Sequence, residues 1–400
     1  MKHPILFKAL GPALSIALLS AGPMIASANE TSDFEWPRLL VVGTPGTGTA
    51  SFASANGWAP ILQKEVGAVV RVVPEDNESM RYRRLTDRRD ITVSSVAGAE
   101  MLYQIEGVGG YATTKPVAQR IIWHHTDTPW GLVVSGDSKL QTVEDLKDGG
   151  YRVAKGMFSP AMISSVTDGL GAYLGLSAEQ IEQTLQFVPA GSYGENCRSV
   201  VEGKADVAWC SPISSVMSEM EGAPGSIRWL PLDNDNTEAW GAFLEHRPML
   251  IPTEISLGVS TARGIDGATS NFLYSVPADA DADFVYNLVK WFHQSYDAYK
   301  GSHPMASRMS LEQFRTYLDR SPLPVHEGTV KYLEEIGVWT DKDNTLNEAA
   351  KKKMDQWMQA RQAAQKEAAK AGIKISGDNP DFIKILNKHT SGLERFRSRL

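Results

Sequence analysis

The residues best suited to chemistry lie from Gly43 to Phe52, in the run Gly-Thr-Pro-Gly-Thr-Gly-Thr-Ala-Ser-Phe, which follows an apolar stretch and opens a helical pattern. Glycines there let backbone N–H groups approach a ligand, and hydroxyls at a helix N-terminus favour a carboxylate or another anion. A phosphate loop would end in Gly-Lys-Ser/Thr and a dinucleotide fingerprint would read Gly-x-Gly-x-x-Gly; the run has neither, so nucleotide binding is not indicated. No Gly-x-Ser-x-Gly elbow, His-Glu-x-x-His pair or Cys-x-x-Cys motif occurs either, which leaves the chain without a recognisable nucleophile or metal centre. Cys197 and Cys210 are the only thiols, too few for a four-ligand zinc site. They pose the question of a single disulfide, which would close a loop of about 14 residues and stabilise the chain by roughly 3 kcal/mol; two separately buried thiols are the alternative.

The elements that must position these groups follow from periodicity. Leu39–Val42, Val69–Val73 and Ile91–Ser94 read as strands, alternating with helical stretches at Phe52–Glu65, Ser79–Thr86 and Ala97–Tyr103. That rhythm implies parallel β-α units. It resumes after Leu132-Val133-Val134 with a strand at Tyr151–Ala154, a helix from Pro160 to Leu174, a strand at Gln186–Pro189, a helix at Ser192–Val201 and a strand at Ala205–Trp209. Further strands are expected at Leu257–Ser260 and Phe272–Val276, before a helix with Phe284, Leu288, Trp291 and Phe292 on one face. The expected class is α/β: a bilobal periplasmic binding protein fold of type II character. Lobe 1 would comprise residues 36–131 and 240–340, lobe 2 residues 132–239, with a hinge between them and a C-terminal helical extension over 341–400. In such wiring a ligand sits between the carboxyl ends of two sheets.

Composition narrows the partners. The 400 residues are 42% hydrophobic, enough for a large core, and 40 Lys+Arg against 47 Asp+Glu give a net charge of −7. A nucleic-acid lattice rewards a basic surface, so polynucleotide is excluded as the expected partner. The first 28 residues carry Lys2 and Lys8, an apolar run from Ala9 to Ile25 and a closing Ala26-Ser27-Ala28, the form of a signal peptide cleaved after Ala28. The mature chain is expected in the periplasm; a retained N-terminal anchor would give the same topology.

Five segments in register resemble the TAXI family of solute receptors for TRAP transporters. They are the Gly43–Phe52 loop, Leu85-Thr86-Asp87-Arg88-Arg89-Asp90-Ile91, Leu140-Gln141-Thr142-Val143-Glu144-Asp145-Leu146-Lys147, Val201-Glu202-Gly203-Lys204-Ala205-Asp206-Val207-Ala208, and Asp283-Phe284-Val285-Tyr286. The likeness spans about residues 38–338. It implies a periplasmic receptor, not an enzyme, that closes on a small carboxylate-bearing solute such as glutamate, another amino acid or an oxoacid. The implied partners are the membrane subunits of the transporter; no cofactor is implied, and a monomer is expected. Carried over by position, Thr47, Gly48, Thr49 and Phe52 fall on the first ligand loop, and Ser94 and Ser95 end a strand where the family has a polar residue. Ser159 with Pro160 reads as an N-cap and first helical residue, although Met157, Phe158 and Pro160 replace donors of the family's second loop with apolar bulk. Tyr193, Trp209 and Ser211 complete the expected ligand set, since Tyr and Trp can cover an apolar surface and still donate a hydrogen bond.

His124 and His125, flanked by Trp123 and Trp130, lie at the first crossing between lobes. Successive strand positions face opposite sides, so one of them, His124, is expected at the cleft and no metal site is expected. Arg81, Arg83, Arg84, Arg88 and Arg89 with Asp87 and Asp90 read as a salt-bridged, solvated face, with Arg81 the one placed to reach a ligand. Residues Thr345–Ala371 are expected to form an amphipathic helix whose first half packs on the body through Leu346, Ala350, Met354, Trp357 and Met358; beyond these only alanines break its polar surface, so its second half and Phe382–Leu400 are expected to form a basic, solvated and partly disordered arm, with a docking element for an acidic surface as the alternative. Two other readings stay open: a sensor that presents its ligand state to a membrane kinase, and a periplasmic enzyme using His124 or His125 with a nearby Ser or Asp.

Overall fold

The computed structural model describes residues 34–399; the expected signal peptide and its cleavage site lie outside the described residues. Three parallel strands form one side of the central sheet: β1 (Leu39–Thr44) between β2 (Val69–Pro74) and β3 (Val93–Ala97). Each is followed by a helix, α1 (Ala50–Val66), α2 (Glu78–Thr86) and α3 (Gly98–Glu106), so the expected β-α rhythm is present here. α1 begins where Thr49 accepts from the Phe52 N–H and ends at Gly67, whose φ of 72° is the left-handed conformation that glycine adopts freely.

The rest of the sheet is antiparallel, which the expectation of parallel units did not include. β4 (Gln119–Ser135) and β10 (Asp266–Pro277) are long and pair side by side, and β10 also pairs β3 and β9 (Ile251–Glu254). Beyond Trp130, β4 changes partner: Gly131–Val133 pair β7 (Ala208–Cys210), and Leu132–Ser135 pair β8 (Ile227–Leu230). A separate parallel pair, β5 (Arg152–Gly156) and β6 (Gln186–Ala190), is bridged to this region through Val153 and Val207. The last expected strand but one is displaced. Leu257–Ser260 is not extended, because Gly258 sits at φ 102° against the Pro212 backbone, where a Cβ would lie 2.4 Å from its carbonyl group, and Ser260–Ala262 turns as a 3-10 helix. The helix expected from Pro160 to Leu174 is interrupted by a π-helical turn at Ser165–Gly169, where Gly169 packs against Phe243.

Cys197 and Cys210 form a disulfide. It joins the Tyr193–Arg198 helix to the end of β7, which fixes the strand that carries Trp209.

The C-terminal region corrects the expectation of a solvated arm. The helix Asp341–Lys370 opens with a capping box between Thr340 and Asp343 and buries Met354, Trp357 and Met358. Its second half is packed too: Ala364 and Ala368 are fully buried against Ala112, Phe382 and Leu386. Alanines four apart form a flat stripe that lets two helices approach closely, and a reading of side-chain hydrophobicity passes over such a stripe. After the helix Pro380–Thr390, the chain runs back over the body. Phe396 is fully buried, the Ser398 N–H donates to the Pro248 carbonyl at 2.9 Å and the Arg399 N–H to the Arg320 carbonyl at 2.9 Å. Among the described residues, no helix is long and apolar enough to cross a membrane.

Candidate functional site

A cavity of about 60 Å³ is lined by residues that follow β1, β2 and β3 on one side and by residues from the β5–β8 region on the other, room for roughly four to six water-sized groups. The β1–β3 side contributes Thr49, Ser51, Asp76, Glu78 and Glu100; the β5–β8 side contributes Phe158, Ser159, Met162, Tyr193, Trp209 and Ser211, with Arg247 from the turn that precedes β9. Thr128 and Trp130 of β4 and Phe272 of β10 lie between. Direct contacts join the two sides. The Glu78 N–H donates to the Phe158 carbonyl at 3.1 Å, Ser159 Oγ donates to Glu100 Oε2 at 2.5 Å, and the Asp76 carboxylate accepts from the Gly46 N–H at 3.1 Å and from the Tyr193 N–H. Gly46 admits no side chain, since a Cβ there would stand 2.1 Å from Asp76 Oδ1.

The aromatic wall is built from neighbouring strands. Trp130 and Trp209 stack with ring centroids 6.1 Å apart and planes 2° from parallel, and Tyr193 meets Trp130 edge-on at 6.5 Å. Trp130 Nε1 donates to Ser270 Oγ at 2.9 Å, and the Tyr193 hydroxyl accepts from the Ser211 N–H at 2.8 Å. These partners lock the rings, so the wall is formed before any ligand arrives.

Carboxyl groups dominate the polar lining. Glu78 is buried against Arg81, which also donates to the Glu75 carbonyl. Glu100 accepts from Tyr111 at 2.6 Å, from Ser159 and from the Ala161 N–H. Burial pushes the carboxyls of Asp76, Glu78 and Glu100 above their ordinary range, against the opposing pull of these hydrogen bonds and of Arg81 and Arg247. Two hydroxyls in the lining, Thr128 Oγ1 and Ser211 Oγ, are buried and have no hydrogen-bond partner.

Of the residues singled out from sequence, Thr49, Ser159, Tyr193, Trp209 and Ser211 line the cavity. Thr49 is committed to its cap, donating to the Gly46 carbonyl at 2.8 Å while accepting from Phe52. Thr47 is exposed, Phe52 is half-buried outside the lining, and Gly48 faces Val216 and Gly194. Ser94 and Ser95 are buried in the sheet rather than in the cavity; Ser95 Oγ lies 2.9 Å from His125 Nδ1. His124 is placed in the core, its Nδ1 2.9 Å from the Arg308 carbonyl and its Nε2 3.4 Å from Asp127. Asp127 is pushed up by burial, but the hydrogen bonds from His124 and Arg308 outweigh that and hold its carboxyl well below the usual range. Burial, with the neighbouring His124 and His303, depresses His125 to about 3 and keeps it neutral. Among the described residues, no group of three His, Cys, Asp or Glu side chains could hold a metal ion.

Asp76, Glu78, Glu100, Thr128 and Arg247 were not singled out from sequence. Glu100 did carry a signal, as a lone carboxylate in the apolar run Ala97–Tyr103, a pattern rare in a buried helix unless the charge is used.

Residues 42–337 match the NMT1-like family, and the chain belongs to it. No curated protein matches the sequence. Similar solved structures include MatC from Rhodopseudomonas palustris with bound malate, 12% identical over 81% of this chain and 99% of that one, with a TM-score of 0.46. An ancestral arginine-binding protein bound to glutamine is 11% identical over 68% of this chain and 97% of that one, with a TM-score of 0.40. The substrate-binding protein of an amino acid ABC transporter is 11% identical over 69% of this chain and all of that one, with a TM-score of 0.39.

Proposed function

We propose that this chain is the periplasmic solute-binding subunit of a TAXI-type TRAP transporter, capturing a small amino acid or organic acid and delivering it unchanged to the membrane subunits. In this reading residues 36–131 with 240–340 and residues 132–239 are two lobes, hinged where β4 changes partners near Gly131. The observation that carries the reading is a small cavity lined from both sides by aromatic rings, hydroxyl-bearing residues and carboxyl groups. A small, mostly apolar space into which a few polar groups converge is the usual form of a small-molecule site. The neutral, core-packed His125 and the hydrogen-bonded His124 give no support to the alternative of an imidazole base.

Native mass spectrometry of the purified chain, followed by thermal-shift screening with amino acids, dicarboxylates and oxoacids, tests it. A bound solute recovered unchanged is expected, with a stabilisation that grows with its concentration. Turnover of the solute that disappears in a His124→Ala/His125→Ala double variant would overturn the reading.

A further inference from the structure

We propose that residues 394–399 form a strap that latches the two lobes together, so that the cavity opens only when the strap yields. The proposal rests on the solute-receptor reading and adds a regulation of the same site. The strap is founded on the long helix Asp341–Lys370. Trp357 Nε1 donates to the Glu394 carbonyl at 3.0 Å, Lys353 pairs with the Glu394 carboxylate at 2.9 Å and lies 5.3 Å over the Phe396 ring, and Phe396 is fully buried. That helix is tied in turn to α3, since Arg361 donates to the Gln104 carbonyl at 2.6 Å. At the strap's far end the Arg399 N–H reaches the Arg320 carbonyl, at the close of the helix Leu311–Arg320, whose Phe314 packs on Trp123 of β4. These anchors all belong to the β1–β3 side.

Between them the strap grips the other side. The helix Thr237–His246 packs against the β5–β8 region: Trp240 meets Tyr173 edge-on at 5.6 Å, Phe243 lies 6.1 Å from Trp209, and Arg247, the next residue, donates to the Ala161 carbonyl. By this packing the end of the helix moves with residues 132–239. Arg395 joins it to α3. Its Nε and Nη2 donate to the Glu106 carboxylate of α3 at 2.6 and 3.1 Å, and its Nη1 donates to the Glu245 carbonyl at 2.7 Å. One rigid guanidinium serves both acceptors only while the two elements stay within its span. Arg397 pairs with the Glu245 carboxylate at 2.8 Å, and Ser398 donates from its N–H to the Pro248 carbonyl at 2.9 Å and from Oγ to the Met249 carbonyl at 3.0 Å. The strap therefore holds both flanks of Arg247 and the helix that carries Glu100, two residues that line the cavity. A hinge motion that draws those walls apart breaks the Arg395 fork or peels the strap from one side.

Double electron–electron resonance on the full chain at pH 7.5 tests this, with spin labels at Lys64→Cys in α1 and Glu179→Cys in the helix Ala178–Thr184, both exposed positions. Cys197 and Cys210 are buried in their disulfide and take no label. Arg395→Gln/Arg397→Gln is expected to raise the ratio of long to short label separations at least fivefold over the chain with an intact strap. A role in stability alone would lower the unfolding midpoint and leave the separations in folded molecules unchanged; that result, or any smaller rise in the ratio, overturns the latch. Arg397→Gln alone removes an exposed pair whose loss the fold tolerates. It is expected to shift the ratio in the same direction, and where the double variant fails to fold, an unchanged ratio here overturns the proposal. A solute captured in native mass spectra together with unchanged separations refutes the latch and leaves the receptor reading standing. A shifted distribution in a chain that binds no solute supports the latch and sinks the receptor reading.

Discussion

Arg361 offers the sharpest test of whether the C-terminal region is part of the body. It is 1% exposed, and its guanidinium donates to the carbonyls of Gln104 at 2.6 Å, Tyr111 at 2.8 Å and Thr114 at 3.4 Å. Gln104 lies in the last turn of α3, the helix that carries Glu100 to the cavity, so the cation also meets the negative end of that helix. Arg361→Met keeps the length and apolar stem and removes every donor. Two well-formed charge-assisted bonds at about 1.5–3 kcal/mol each set the gross loss. Relief of the guanidinium's own desolvation, which already lowers its affinity for a proton, offsets part of it. A net destabilisation of about 3 kcal/mol is expected. Urea unfolding of the wild-type chain and the variant at pH 7, read as the change in midpoint at constant slope, measures it. A change under about 0.5 kcal/mol, the range of surface substitutions, would refute the view that this helix is anchored through Arg361.

Three other outcomes are expected. Reduction of Cys197–Cys210, or a Cys197→Ser/Cys210→Ser variant, releases a loop closed by residues 13 apart and is expected to cost about 3 kcal/mol; identical melting with and without reductant would contradict this. Ser159→Ala removes an N-cap acceptor and a donor to Glu100, so a loss of about 1–3 kcal/mol in chemical denaturation and weaker solute binding are expected. His125, at about 3 when folded against its usual 6.5, binds fewer protons folded than unfolded across that window. Its contribution is therefore complete above pH 6.5 and lost as pH falls toward 3, about 2 kcal/mol by pH 5. Comparison with His125→Gln cancels the opposing contribution of the cavity carboxyls; parallel stability curves for the two proteins between pH 7.5 and 5 would refute the assignment.

The local signals in the chain determined what local physics controls. Strand–glycine–helix punctuation located β1, β2 and β3 with α1 to α3, and the cap at Ser159 was legible because a hydroxyl before a helical pattern has one common use, whereas Thr49, expected to meet a ligand, is the cap of α1. The resemblance to known receptors, rather than these signals, singled out Tyr193, Trp209 and Ser211, which do reach the cavity. Tertiary structure alone decided the rest. His124 and Ser95 stand on strands whose alternation fixes which face each takes, but which face meets the core depends on β10 and on the loop that carries Arg308, both distant in sequence. Asp76, Glu100 and Arg247 converge from three separate turns and helices, so no spacing in the chain announces them. The alanine stripe of the last long helix has no hydrophobic pattern of its own; it becomes an interface only because Ala112 and Phe382 are brought against it. Periodicity records what each element needs from a neighbour, whereas long-range pairing settles which neighbour supplies it, and the cavity is made entirely of such pairings.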